Sequence, residues 1–462
     1  MNHSCLPRRL FSWCVLSLGM GLSLAAAAPW AHAQNLPVLL ESARGHDAAF
    51  LAARAQFDSA QFRMEQARAL RRPGVTADTT VGRAENATPF SPSVTGSKSD
   101  TTTTNLSATQ PLFNRANDMA VAQSEKVLAV ARADLEAAEQ DLIIRVSQAY
   151  FDVLGSRDAL ATVEASKAAI TEQLASAKRN FEVGTATITD AREAQARYDL
   201  VIAQELAARN DLRNRQLVLE QVVGRLQVQP APLRLPLVLP PVVPQSADAW
   251  VEQALGRHPV ARKARLGLEI AQLEVSRARA GHLPTVALTG RYTQQRVDGT
   301  AALRGAAAGT SVQIGQSGTS TTSVVGVTLS VPLYAGHATD NRVSETLKLE
   351  EKARHDLDSA RRGVELATRQ SFMGLQSLAA QVKALEAAEA SSQLALESTQ
   401  LGYRVGVRVN LDVLNAQSLL FQTRRDLAKA RYDSILGSLR LRQAAGALGA
   451  TDVQALAPLL GS

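Results

Sequence analysis

Two aspartates, Asp190 and Asp412, each follow a glycine by six residues inside stretches that otherwise spell helix: FEVGTATITD (Phe181 to Asp190) and YRVGVRVNLD (Tyr403 to Asp412). A carboxylate at the start of a helix accepts hydrogen bonds from unpaired backbone N–H groups. Asp190 with Glu193 three residues on predicts a capping box, and Asp412 with Asn415 predicts an N-cap at the equivalent turn. Gly184 and Gly406 are then expected to end the preceding helices in a left-handed conformation. This is the chemistry of two helix-turn-helix tips, not of bond making. Other reactive groups are poorly placed for catalysis. His46, His258, His282, His337 and His355 show no H-x-x-x-H spacing. There is no phosphate-cradling glycine loop and no nucleophile elbow. The sequence therefore predicts no enzyme, no cofactor and no metal.

The elements that must carry these tips are long. No proline occurs from Leu112 to Gln229, nor from Leu333 to Ala457, and both segments are rich in strong helix formers. Val121, Leu128, Leu135 and Leu142 recur every seven residues, with Ala131 and Ala138 between them. Leu357, Val364, Leu378 and Leu385 keep the same register in the second segment, broken at Ser371. Such seams predict coiled-coil packing. A helix running unbroken from Arg115 to Phe181 would be about 100 Å long at 1.5 Å per residue. The two segments also belong to a repeat: His46 recurs as His258, Pro73 as Pro284, Phe151 as Phe372 and Val223-Gly224 as Ala445-Gly446. The reading is two tandem structural repeats, residues 34–228 and 247–450. A proline-rich linker, 229–246, joins them, and a tail, 451–462, follows.

The first residues have the order of a secretory signal peptide. Arg8 and Arg9 precede an apolar stretch, and Ala31-His32-Ala33 supplies a cleavage site, so residues 1–33 are expected to be removed. Both cysteines, Cys5 and Cys14, would leave with them, without a lipobox pattern, which excludes a disulfide framework. The net charge of +7 would drop by two. The remaining charges alternate in sign along the helices, and only 4% of residues are aromatic, so nucleic acid is not an expected partner. Each repeat holds a pair of alternating segments, within about 74–111 and 284–332. Val75, Ala77, Thr79 and Val81, or Val325, Val327, Leu329 and Val331, alternate with small polar residues as membrane-barrel strands do. The Gly, Ser and Thr-rich stretches Ala84–Asp100 and Val297–Thr322 are expected to be exposed loops. Four strands cannot close a barrel without lipid-exposed edges, so several copies would have to pool them. The bland alternative is a pair of surface hairpins on a soluble periplasmic rod, serving as adaptor or scaffold of an export complex. An adaptor would carry a lipoyl-like β-domain between paired helices, which the sequence does not offer.

This arrangement resembles the TolC family of outer-membrane channel proteins over essentially the whole mature chain. The most specific part is F-x-V-G-x-x-x-I-T-D-x-x-x-A-Q-A-x-Y-D, from Phe181 to Asp199. Its partner is Y-x-V-G-x-R-x-x-x-D-V-L, from Tyr403 to Leu414. The resemblance implies an α+β membrane protein, a long α-helical coiled-coil barrel plus four transmembrane β-strands per chain, assembled as a homotrimer with one 12-stranded β-barrel. It implies an exit channel for type I protein secretion or multidrug efflux, in the outer membrane and extending into the periplasm. The implied partners are a periplasmic adaptor, an inner-membrane ABC, RND or MFS transporter, and outer-membrane lipid. Matched residue by residue, Asp190, Tyr403 and Arg408 correspond to groups that hold neighbouring coiled coils together at the periplasmic gate. Asp412 corresponds to an acidic position in the narrowed lumen. The best-known members carry a second acid where this chain has Asn415, so their double acidic ring does not carry over.

Overall fold

The computed structural model describes residues 35–87, 94–234, 243–304 and 310–460. The signal-peptide segment and part of the linker lie outside the described residues. The order is α1 (Leu36–His46), α2 (Ala48–Ala69), β1 (Gly74–Ala87), β2 (Val94–Phe113), α3 (Arg115–Glu182) and α4 (Ile188–Val223). It continues with α5 (Ala247–Arg257), α6 (Pro259–Arg279), β3 (Thr285–Arg304), β4 (Ser311–Ser330), α7 (Ala338–Arg404), α8 (Asn410–Ala444) and α9 (Ala450–Leu456). The proline-free segments are indeed the rods: α3 has 68 residues and α7 has 67, about 100 Å each at 1.5 Å per residue. Each folds back on a half-length partner, α4 or α8. No helix among the described residues is long and apolar enough to cross a membrane.

The four strands form one antiparallel sheet in the order β1-β2-β3-β4. Pairing of β2 with β3 fuses the two hairpins. The strands correct the sequence expectation of loops. β1 runs to Ala87, β2 starts at Val94, β3 runs to Arg304 and β4 starts at Ser311, so most of Ala84–Asp100 and Val297–Thr322 is strand. Gly, Ser and Thr weaken the alternation signal, but the ladder on a neighbouring strand holds them extended, and Thr favours the pleat. Register puts Val75, Ala77 and Val81 on the same face as Leu106, Ala108, Leu288, Tyr292, Val325 and Val327. The opposite face carries a hydrogen-bonded polar row: Asn105 donates to Asp78 at 3.0 Å, and Thr293 donates to Asn105 at 2.8 Å. One face suits lipid and the other water. The outer edges of β1 and β4 are unpaired within the chain.

The largest apolar core sits midway along α3, where α1, the ends of α4, α8 and α9, and the first linker residues meet. Leu142, Ile143, Tyr150 and Phe151 are fully buried there with Leu36, Leu39 and Ile435. Burial removes the Tyr150 ring from water and pushes its hydroxyl pKa well above the ordinary range; that hydroxyl donates to the Ala231 carbonyl at 3.0 Å. The linker is therefore not a free tether at its start. Leu233 bridges to Leu460, and Arg234 N–H donates to the Leu459 carbonyl at 2.9 Å.

His46 and His258 each sit against a glycine in the left-handed conformation. Gly224 follows α4 with φ +70° against the His46 ring, and Gly446 follows α8 with φ +65° against the His258 backbone. His258 also caps α6, its Nδ1 accepting from Val260 N–H at 3.2 Å. Burial pushes its pKa below the ordinary 6.5. The unfolded chain then takes up the proton first, so stability rises with pH across this window and is lost as pH falls below about 6.5. His258→Asn keeps a capping oxygen and removes the charge. Its thermal midpoint is expected to fall less between pH 7 and pH 5 than that of the wild type; parallel curves would contradict this assignment.

Candidate functional site

The two hairpin tips are built alike. At the end of α3, Thr185 N–H donates to the Asn180 carbonyl at 2.8 Å and Gly184 N–H to the Phe181 carbonyl at 3.0 Å, with Gly184 at φ +79°. At the end of α7, Val407 N–H donates to Gly402 at 2.9 Å and Gly406 N–H to Tyr403 at 3.1 Å, with Gly406 at φ +81°. Both are Schellman closures, as the left-handed glycines predict. The caps that follow differ from the sequence expectation. The N-cap of α4 is Thr187, and Asp190 is the acid of the box, not its cap: Asp190 N–H donates to Thr187 Oγ1 at 3.2 Å. Asp190 Oδ2 accepts from Thr187 N–H at 3.0 Å and from its hydroxyl at 2.8 Å. The register is three residues earlier than expected because Thr187 holds the extended backbone an N-cap needs, at φ −87° and ψ 159°, whereas Asp190 already lies in the first turn of the helix.

The second tip lacks that hydroxyl. Val409 stands where Thr187 does, so Asp412 receives only Val409 N–H, at 3.5 Å. Asp412 is likewise the third residue of its helix and not the N-cap. Its Oδ2 lies 3.7 Å from Arg408 Nη1, with 38% of the Asp412 side chain and 61% of the Arg408 side chain exposed. Asp190 is thus engaged inside its own turn, while Asp412 keeps a more available carboxylate beside a cation. Within the chain Arg408 meets Asp412 and not Asp190.

Three side-chain bridges join the tips. Asn180 Nδ2 donates to Tyr403 Oη at 3.3 Å. Arg197 donates to Asn415 Oδ1 at 2.9 Å. The third centres on Asn410, 1% exposed: its Oδ1 accepts from Gln173 Nε2, and its Nδ2 donates to the Asp190 carbonyl at 3.5 Å. Sequence reasoning placed Tyr403 and Asn415 at the tips but missed Asn180, Arg197, Gln173 and Asn410. A signal for Asn410 existed: a polar residue at a helix start flanked by Val409 and Leu411. Beneath the bridges, Ile170, Leu174, Ala194, Val201 and Leu414 form an apolar cluster between α3, α4 and α8. Tyr403 packs against Leu396, Val413 and Leu420.

A sheet apolar on one face and joined at one end to rods of about 100 Å, whose far tips are held by reversible polar bridges, defines the subunit of a membrane channel with a long helical extension. Comparison with known proteins agrees. The sequence pattern of the outer membrane efflux protein family matches residues 39–225 and 250–447. The chain is similar to the outer membrane protein TolC of Vibrio cholerae, with 31% identity covering 95% of this chain and 96% of that protein. It is similar to the alkaline protease secretion protein AprF of Pseudomonas aeruginosa, with 32% identity over 78% of this chain and 72% of that one. Among solved structures, the outer membrane protein VceC of Vibrio cholerae superposes with a TM-score of 0.73 at 20% identity, covering 89% of this chain and 96% of that chain. The chain belongs to the outer membrane efflux protein family. It is an outer-membrane exit channel that extends into the periplasm, and its family is one of transport proteins.

Proposed function

We propose that three copies of the chain, each two tandem copies of one unit, pool their sheets into a 12-stranded barrel continued by a helical tunnel. The observation that carries this reading is the pair of open sheet edges, on β1 and β4. Unpaired backbone groups are not tolerated in lipid, and an edge-to-edge ring of copies removes them. A line along α7 supports the same assembly. Leu366, Met373, Ala380, Ala387, Leu394 and Leu401 recur every seven residues and are all exposed in the single chain. A seam of that kind is completed by another helix, and a second copy supplies one.

The gate of this channel comprises Asp190, Tyr403, Arg408, Asp412 and Asn415 around the turns at Gly184 and Gly406. Three Asp412 carboxylates facing one axis would draw counter-cations into the narrowest part of the lumen. Exposed ion pairs contribute only about 0–1 kcal/mol each, so docking of a partner can undo them. The exposed tip residues Val183, Val405, Val407 and Val409 offer that partner an apolar foothold. It is a periplasmic adaptor, bound in turn to an inner-membrane ABC, RND or MFS transporter that supplies the energy. The names of the relatives include both protease secretion and efflux, so a secreted protein and small toxic compounds are both candidate cargo. The test is single-channel recording in planar bilayers. Asp412→Ala is expected to reduce cation selectivity, and Arg408→Ala to raise conductance. Unchanged selectivity and conductance in both would remove these residues from the gate. Recovery of the mature chain as a monomer would remove the pooled barrel.

A further inference from the structure

We propose that the outward face of the sheet just above its apolar band is a docking girdle for the phosphate-bearing headgroups of membrane lipids. This rests on the reading of the sheet as the membrane-spanning part of the chain. The register fixes which residues share that face. Above Val75, Ala77 and Val81, the next outward positions on β1 are Arg83 and Glu85. They pair with Asp100 and Lys98 on β2, and Asp100 pairs with Asp298 on β3. Arg296 lies level with Val81, through Thr102. The apolar positions span about 20 Å at 3.3 Å per residue, and the charged rows begin at their upper limit, on the end of the sheet away from the helices. The strands run 20 residues in β2, β3 and β4, about twice what lipid requires, so these rows stand at headgroup level and not in hydrocarbon.

The cations are presented outward and held in place. Arg83 donates from Nε and Nη2 to the two carboxylate oxygens of Asp100, at 2.6 and 2.7 Å. Lys98 lies 2.8 Å from Glu85, and Arg296 lies 2.8 Å from Asp298. Their side chains are 74%, 72% and 68% exposed. Such exposed pairs contribute little, yet they orient each cation, and N–H groups are left over. A guanidinium is suited to phosphate oxygens. Arg304, also on this face, has no paired carboxylate among the described residues. The face therefore sets four cations against three carboxylates. The lumenal face carries the Asp78–Asn105–Thr293 row instead, which separates the girdle from anything passing through the channel. Continuity with the apolar band selects a lipid over a free anion.

The full-length channel is reconstituted in vesicles doped with spin-labelled phosphatidic acid or spin-labelled diacylglycerol of equal chain length. The motionally restricted fraction is then read by electron spin resonance. Wild type is expected to prefer phosphatidic acid by about threefold or more, in keeping with the attraction of Lys and Arg to an anionic surface. The triple variant Arg83→Gln, Lys98→Gln, Arg296→Gln is expected to lose the preference. Glu85→Gln with Asp100→Asn is expected to raise it, which keeps the test informative where the triple variant fails to fold. Added inorganic phosphate should leave the preference intact. Equal preference in all three proteins, or its loss to inorganic phosphate, would overturn the girdle. A missing restricted fraction for both lipids in wild type would overturn the membrane-spanning sheet as well.

Discussion

Alanine at position 446 is expected to destabilise the helical region by roughly 2–5 kcal/mol, and alanine at position 224 by markedly less. Both glycines sit in the left-handed region, at φ +65° and +70°, where a Cβ costs about 1–2 kcal/mol. The difference lies in what that Cβ would meet. At Gly446 it would stand 2.5 Å from His258 Cα and 2.7 Å from His258 N. Backbone must then shift, and overpacking of this kind adds about 1–3 kcal/mol. At Gly224 the obstacle is the His46 side chain, its Cγ nearest, which a turn about the His46 Cα–Cβ bond would displace without moving backbone. Gly446 also closes α8, its N–H donating to the Gln443 carbonyl at 2.8 Å while Ala447 N–H donates to Arg442 at 2.9 Å. A misplaced Gly446 would therefore loosen both the end of α8 and its seat on the α5–α6 junction. Thermal midpoints of the two variants in detergent, followed by helix signal, decide the matter. Equal shifts would show that the contact with His258 contributes nothing beyond the φ penalty.

These two contacts illustrate what the sequence made legible. The His and Gly positions were visible as repeat partners, His46 with His258 and Gly224 with Gly446, but not as partners of each other. Contact between residues about 180 apart leaves no local pattern. The rods were legible because proline exclusion and heptad spacing are local properties, and the left-handed turns because glycine inside helical sequence has few other uses. The upper strands were not legible: Gly, Ser and Thr carry too little alternation, and only pairing on a neighbour holds them extended. The caps were misplaced by three residues because both T-x-x-D and D-x-x-E fit the capping pattern around Asp190, and only geometry selects Thr187. The exposed line on α7 was present in the sequence beside the buried one at Leu357 and Val364. Of these two lines on one helix, the same chain covers that at Leu357 and Val364 and leaves the other exposed.

The gate prediction with the largest effect concerns Asn410, not the charged residues of the motif. Asn410→Leu removes the one buried amide that touches α3, through Gln173, and the start of α4, through the Asp190 carbonyl. Leucine keeps the branched skeleton with bulkier methyl groups and leaves those two groups without their partner, at about 1–3 kcal/mol. Any opening that swings α7–α8 away from α3–α4 must break the same two contacts, so the wild-type amide opposes opening and leucine does not. At about 1.4 kcal/mol per tenfold, the open fraction in planar bilayers is expected to rise by roughly one order of magnitude. A purely structural role would lower the thermal midpoint without this change in gating. Coupling separates the two: Gln173→Leu combined with Asn410→Leu should raise opening little beyond Asn410→Leu alone, because that variant has already lost the Gln173 bond. Asp412→Ala combined with Asn410→Leu should be additive, since Asp412 pairs with Arg408 outside that network. Additivity of the Gln173 and Asn410 variants would dismiss the bridge. Non-additivity with Asp412 would mean that the bridges and the acidic position open as one unit.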